Sequence, residues 1–316
     1  MKDRQLRIAI NIYTYLTLTA FLPLISQGCQ SQPNDIATFH ADDNFSGERA
    51  LQYARYQVEL GPRIPGTTAH AQVVEWIESQ LIEFGWSVEV QEPNTGQNRI
   101  RNILARSKEG DRNSGKYLLL GAHYDSRIYA DRDPEPGYRK MPVPGANDGA
   151  SGVAVLLELA KVIPPSERGK IQIVFFDAED NGDIPGWDWI LGSTAYVAGL
   201  DAFPECVVIV DMVGDSDLNL YQELNSDPEL TEEIWEVAEG LGYANLFLAS
   251  PKYRILDDHI PFINAGIRAV DIIDFDYPYW HTTEDTIDKI SSESLQAVGE
   301  TLLEWMRLTS ECQGPF

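Results

Sequence analysis

The chain has 316 residues and a formal net charge of −25, with 24 Lys and Arg against 49 Asp and Glu. So acidic a balance argues against a nucleic-acid partner, while 43% hydrophobic and 10% aromatic residues are ample for a large core. Length alone admits one large domain or two small ones.

Residues 1–28 read separately from the rest. Lys2, Arg4 and Arg7 open the chain, an apolar run follows from Ile8 to Ile25, and Ser26-Gln27-Gly28-Cys29 leads into a polar stretch. This is a secretory leader in outline. It resembles a lipoprotein signal in which Cys29 becomes the lipidated first residue, although Ser26 stands where that signal usually carries Leu. A plain signal peptide and an uncleaved anchor helix are the other readings, since about 18 apolar residues approach the length that spans a bilayer. Each implies export to the cell envelope, either lipid-anchored or as a periplasmic or secreted product. Residues 29–44 read as a flexible tether, and residues 45–316 as the folded domain.

Leu51, Ala54 and Val58 recur at helical spacing, which predicts a helix over 47–60 stopped by Gly61-Pro62, and a second helix follows over 67–84. Strands are predicted over 86–90, 100–106 and 116–121. A helix over 153–162 is entered through Gly149-Ala150-Ser151-Gly152. Residues 171–176 and 207–210 are almost wholly apolar, as strands buried on both faces of a sheet are. Helical patterns return over 228–240 and 291–307, with a strand over 269–273. Strands alternating with helices predict one α/β domain with a central mixed, mostly parallel sheet flanked by helices. Two irregular stretches, 125–146 and 181–191, are rich in Pro, Gly, Asp and aromatic residues. Loops of that length are uncommon in compact domains unless functional, so these are expected to wall a pocket. Cys206 and Cys312 can pair in an oxidising compartment, yet Cys206 opens a core strand and reads equally well as a buried thiol. The absence of a Cys-x-x-Cys spacing argues against a thiolate metal site.

Metal-capable side chains close or follow one β-like run after another. His123 lies in LLLGAHYDS, Asp148 in PGANDGASG, Glu179-Asp180 in IVFFDAED, Asp211 in VVIVDMVGD and His281 in YPYWHTTEDT. Ligands of open α/β sheets bind at the carboxyl ends of the strands, where these residues would converge. Mixed imidazole and carboxylate donors suit zinc, and a coordination position left open makes such a site catalytic. Taken singly, Asp148 reads as a helix N-cap, Asp211 as a turn former and His281 as a surface histidine. Two of only five histidines fall in the ordered set, however, and the joint pattern favours a zinc enzyme.

The ordered elements GAHYDS, GANDGASGVAVLLELA, FFDAED, DMVG and HTTEDT resemble the zinc aminopeptidase and glutaminyl cyclase superfamily, from about Leu51 to Met306. Four features lean towards glutaminyl-peptide cyclotransferases, especially bacterial relatives of the animal type. These are Asp257-Asp258-His259-Ile260-Pro261-Phe262, Trp280 directly before His281, the tryptophan-bearing insertion 181–191, and the run from Asp125 to Pro134. The resemblance implies a zinc-exopeptidase-like fold and one zinc held by Asp148, Asp180 and His281. Glu179 would be the general acid/base, and Asp211 and Asp257 a hydrogen-bonded acidic pair beside the zinc. Trp280, with Trp187 or Trp189, would wall the substrate pocket. Asp180 is one methylene shorter than the Glu of many aminopeptidases, which leaves a carboxylate ligand in place. The implied reaction converts the N-terminal glutamine of a peptide or protein to pyroglutamate with release of ammonia. Separately, no extra interaction segment is visible in the sequence, so a monomer is expected.

The rival reading within the superfamily is an aminopeptidase with two zincs. Asp148 would bridge, Asp180 and His281 would complete one site, and His123 with Asp211 the other. All five ligands are present, so the inventory leaves both readings open, and Asp257 and Trp280 separate them. A non-catalytic binding protein of the same fold would be marked by loss of Glu179 or of a ligand, and neither is lost. Among the remaining candidates, Asp125 reads as orienting His123 or a neighbouring turn, and Asp177 as a structural carboxylate. Asp258 and His259 read as caps of the following helix or, equally, as side chains that support the site from behind, and Trp235 and Trp305 read as core.

Overall fold

A six-stranded sheet in the order β1-β4-β6-β5-β7-β10 organises the fold. The computed structural model describes residues 44–95, 98–107, 117–309 and 312. The predicted leader, Cys29, the tether up to residue 43, and Lys116 lie outside them. In chain order the elements are α1 (Gly47–Glu59), α2 (Thr68–Glu83), β1 (Ser87–Gln91), β2 (Asn94–Thr95), β3 (Asn98–Arg99), β4 (Asn102–Arg106) and β5 (Leu118–His123). There follow α3 (Ala150–Val162), β6 (Ile171–Phe176), α4 (Leu191–Ala198), β7 (Cys206–Asp211), β8 (Leu220–Gln222) and α5 (Pro228–Gly240). β9 (Phe247–Pro251), α6 (Ile260–Asn264), β10 (Arg268–Ile273) and α7 (Ser292–Leu308) complete them.

β1, β4 and β6 pair antiparallel, whereas β6, β5, β7 and β10 run parallel. The sheet is therefore mixed and mostly parallel, and the carboxyl ends of four neighbouring strands share one edge. Every residue of β5, β6 and β7 is buried, as their almost wholly apolar runs lead one to expect. Alternation along the strands divides their side chains between two faces. Leu118, Leu120, Ile173, Phe175, Val208 and Val210 join the larger core beneath α1, α2, α3, α5 and α7. Leu119, Val174, Phe176, Val207 and Ile209 pack on the other face with Tyr196 of α4 and Phe262 of α6. Trp235 and Trp305 are buried in the larger core, as expected.

α3 begins three residues ahead of the predicted start, with Gly149 as its cap and no side-chain cap bond. Asp148 is thereby released from the N-cap role. Close packing explains the small residues at this entry: a Cβ on Gly152 would lie 2.0 Å from the carbonyl oxygen of Val210. Cys206 and Cys312 form a disulfide with Cα atoms 5.3 Å apart, which decides between the two readings of these residues. It ties the start of β7 to the segment after α7. No helix among the described residues is long and apolar enough to cross a membrane.

Candidate active site

The parallel strands deliver the predicted residues to one edge. His123 is the last residue of β5 and Asp211 the last of β7, while Glu179 and Asp180 follow β6 by three and four residues. Three non-glycine residues at this edge take the left-handed backbone region: Ala178 before Glu179, Met212 after Asp211, and His281 itself, with φ of 55°, 44° and 57°. Such residues are uncommon and concentrate at functional sites. The Asp148–Gly149 peptide is cis.

Two groups of ligand atoms share Asp148. In the first, His281 Nε2 lies 2.8 Å from Asp180 Oδ1 and 3.7 Å from Asp148 Oδ2. In the second, His123 Nε2 lies 3.1 Å from Asp148 Oδ1 and 3.0 Å from Asp211 Oδ1. Within each group the ligand atoms are all within 4.8 Å of one another, and every residue is buried. The first group fits a metal on a further count. Oδ2 of Asp148 and Oδ2 of Asp180 are buried without a hydrogen-bond partner, a costly state for a carboxylate unless a cation meets it. Two carboxylates and one imidazole offer three N/O donors, the number that a catalytic zinc site takes from protein when its fourth position is left open.

The surroundings hold these groups in place. Asp125 lies 3.4 Å from His123 Nδ1 as expected, and it also accepts the backbone N–H of Glu179 at 3.0 Å and the side chain of Asn181 at 3.0 Å. Asp177 is structural: it accepts from the Arg101 N–H and pairs with His70. Asp285, which the sequence left unremarked within HTTEDT, accepts the N–H groups of Asn147 and Asp148 at 2.8 and 3.2 Å and the Tyr277 hydroxyl at 2.7 Å. Asp258 and His259 do not cap α6 with their side chains. They are fully buried, and His259 Nε2 sits 3.3 Å from Glu223 and Nδ1 3.6 Å from Asp271. The cap reading fails because α6 is a single short turn whose preceding residues turn inward.

Burial and then the charge of Asp257 hold the Glu179 carboxyl well above the usual carboxylate range. Asp257 is pushed up to about 7 by burial and by Asp211. Asp180 rises to about 6 through burial and Asp148. Burial alone would lower His281, but Asp180, Asp131 and Asp148 outweigh it and raise the imidazole to about 9. The Asp211 carboxylate meets His123, and that of Asp257 accepts the Asp258 N–H.

Aromatic rings line this edge. Trp280 lies against His281 with centroids 3.9 Å apart, and the Arg132 guanidinium covers Trp280 at 4.2 Å. Of the two insertion tryptophans, Trp189 is the one whose ring runs parallel to His281, at 6.1 Å and 10°. Trp187 is half-buried and has no such stacking. Trp189 can lie flat there because residue 182 is glycine; a Cβ at Gly182 would sit 2.1 Å from its ring.

Comparison with known proteins agrees with this geometry. The family description Peptidase family M28 fits residues 102–306. The chain is 28% identical to a glutaminyl-peptide cyclotransferase of Drosophila melanogaster, over 76% of this chain and 75% of that protein. It is 32% identical to Aminopeptidase YwaD of Bacillus subtilis (strain 168), over 63% of this chain but only 42% of that protein's length. Among solved structures it is similar to a glutaminyl cyclase of Bacteroides thetaiotaomicron, with a TM-score of 0.77 and 31% identity over 84% of this chain and 99% of that one. A leucine aminopeptidase precursor from Bacteroides thetaiotaomicron VPI-5482 is equally similar, with a TM-score of 0.78 and 31% identity over 84% and 98%.

Proposed function

The chain belongs to peptidase family M28, and within that family we propose that it is a glutaminyl-peptide cyclotransferase, an acyltransferase that closes an N-terminal glutamine into pyroglutamate. The observation that carries this reading is Asp257, a buried carboxylate whose charge acts on Glu179 and for which a peptidase reading offers no specific role. Ring closure and peptide hydrolysis both need a carboxyl that moves one proton twice, so it is the second acid beside that carboxyl, and not Glu179 itself, that separates the two readings. The similarity to the Drosophila cyclotransferase over three quarters of its length supports the same reading.

Asp148, Asp180 and His281 would hold the zinc, which when bound supplies Lewis-acid stabilisation of the charge that develops on the side-chain amide oxygen. Glu179 takes a proton from the α-amine as its nitrogen bonds to the amide carbon. It then gives that proton to the departing nitrogen, so that the carbon–nitrogen bond of the amide breaks and ammonia leaves. Burial and Asp257 make Glu179 a stronger base than an exposed glutamate, which suits an amine substrate. Trp280 and Trp189 wall the pocket and exclude water, favouring ring closure over hydrolysis. The substrates are peptides or proteins with N-terminal glutamine. The Cys206–Cys312 disulfide supports export to an oxidising compartment, with lipid attachment at Cys29 as the reading for the leader.

A second reading, a two-zinc aminopeptidase, is favoured by one observation: His123, Asp148 and Asp211 already form a second buried ligand group. One experiment separates the two. The purified protein is incubated with a Gln-initiated peptide and with Leu- and Ala-initiated peptides, and the products are read by mass spectrometry. A loss of about 17 mass units from the Gln peptide alone, one ammonia, is the expected result. Release of free N-terminal amino acids would replace the cyclotransferase with the aminopeptidase.

A further inference from the structure

The loop after β5 grips the turn that carries His281 at several points. The Arg132 N–H donates to the His281 carbonyl at 3.2 Å. Asp133 Oδ2 accepts from the N–H and hydroxyl of Thr283 at 3.0 and 2.6 Å. Just before these contacts in the chain, Asp131 Oδ1 lies 3.5 Å from Nδ1 of His281, the ring nitrogen opposite the one that meets Asp180. Asp131 is itself held by a fork from Arg127, with Nε donating to Oδ1 at 3.1 Å and Nη2 to Oδ2 at 2.7 Å. Arg127 is only 2% exposed. Its Nη1 donates to the carbonyl of Asp180 at 2.7 Å, its Nη2 reaches the carbonyl of Gly182 at 3.2 Å, and its guanidinium lies 4.9 Å over Trp189. One buried cation thus joins the backbone of one candidate ligand to the carboxylate behind another.

We infer that Asp131 is a positioning residue for the metal-binding imidazole of His281, and that Arg127 holds Asp131 in that place. An imidazole binds a metal through one nitrogen and must carry its proton on the other. A carboxylate at that second nitrogen accepts the proton, fixes the tautomer and the plane of the ring, and raises the basicity of the ligand. The pairing is not a chance surface bridge. Asp131 is 45% exposed on its side chain, but its partner is a buried arginine with four other fixed contacts. The inference rests on the reading that Asp148, Asp180 and His281 hold zinc.

Zinc affinity of the full chain, measured by competition with a chromogenic chelator, tests it independently of turnover. The set is the unaltered protein, His281→Ala, Asp131→Asn, Asp131→Glu and Asp276→Asn. The last breaks an exposed Lys252–Asp276 pair and serves as the control. Asp131→Asn is expected to weaken zinc binding by about 10- to 100-fold, with partial recovery in Asp131→Glu and none of this in the control. The visible spectrum of the cobalt-loaded Asp131→Asn protein should shift, since the ring it bears on is no longer held. Thermal unfolding of the zinc-free variants should match the parent, which separates positioning from simple loss of structure. If His281→Ala abolishes tight zinc binding while Asp131→Asn keeps parental affinity and an unshifted cobalt spectrum, the positioning role is overturned and the zinc site stands. If His281→Ala binds zinc like the parent, the zinc assignment itself is wrong, and the role of Asp131 falls with it.

Discussion

Glu179 and Asp180 are neighbours in sequence to which the proposed mechanism gives opposite duties, and single substitutions separate those duties. Glu179→Gln keeps the size and polarity of the side chain but cannot carry a proton. It should retain zinc at parental stoichiometry and lose about 10²- to 10⁴-fold in turnover. Metal content with a matched kinetic assay checks this; zinc lost along with activity would mean that Glu179 is a ligand instead. Protons compete with the metal at its neighbours. Without zinc, His281 keeps its proton up to about 9, and Asp180 takes one up at about 6. Both groups must lose their protons to bind the metal, so affinity falls as pH falls. Between about pH 9 and 6 one proton is displaced, a loss of about tenfold in affinity per pH unit, and the slope steepens below 6. Chelator competition across that range would expose an affinity that does not vary, which would count against His281 as a ligand. The strand-end residues were legible because their side chains are chemically out of place after apolar runs. Asp131 and Asp285 were not, since a carboxylate in a polar loop looks the same whether it faces water or a ligand's back side.

At the scale of elements, the α3–β7 contact sets the site, because it brings the Asp148 turn against the strand that ends in Asp211. Gly152→Ala places a methyl group where the Val210 carbonyl stands and must push the helix away. We expect a loss of roughly 1–3 kcal/mol, read as a lower urea midpoint. An unchanged midpoint would mean that the helix shifts without cost and that the close approach is incidental. The long amphipathic helices were predictable from their 3.6-residue period, and the buried strands from short, almost wholly apolar runs. α4 and α6 were not. α6 has five residues and contains Pro261, too few for any period to emerge. α4 starts behind Ile190, a β-branched residue at φ 52°, a conformation that local propensity disfavours and that tertiary packing imposes. The paired β8 and β9 are similarly short and are defined by each other rather than by sequence.

On the scale of the whole molecule, one covalent bond crosses the large core. Cys206 and Cys312 are 106 residues apart, and both are fully buried. Replacing both with alanine should cost roughly 2–5 kcal/mol, because the unfolded chain is released from a large closed loop. Denaturant unfolding measures that loss, and a double variant as stable as the parent would show the bond to be dispensable. The bond also divides the candidate site by topology. Asp211, Asp257, Trp280 and His281 lie inside a closed ring of chain, whereas His123, Asp148, Glu179 and Asp180 lie on the open strand that precedes it. A protease that nicks the ring once leaves a single covalent piece with its half of the site still tethered at both ends. A nick in 125–146 or 181–191 instead yields two fragments that only packing holds together. In a protease-rich setting, damage to the loops over the pocket would therefore be visible as chain separation under non-reducing denaturation, while damage to the other half would stay hidden until the disulfide is reduced.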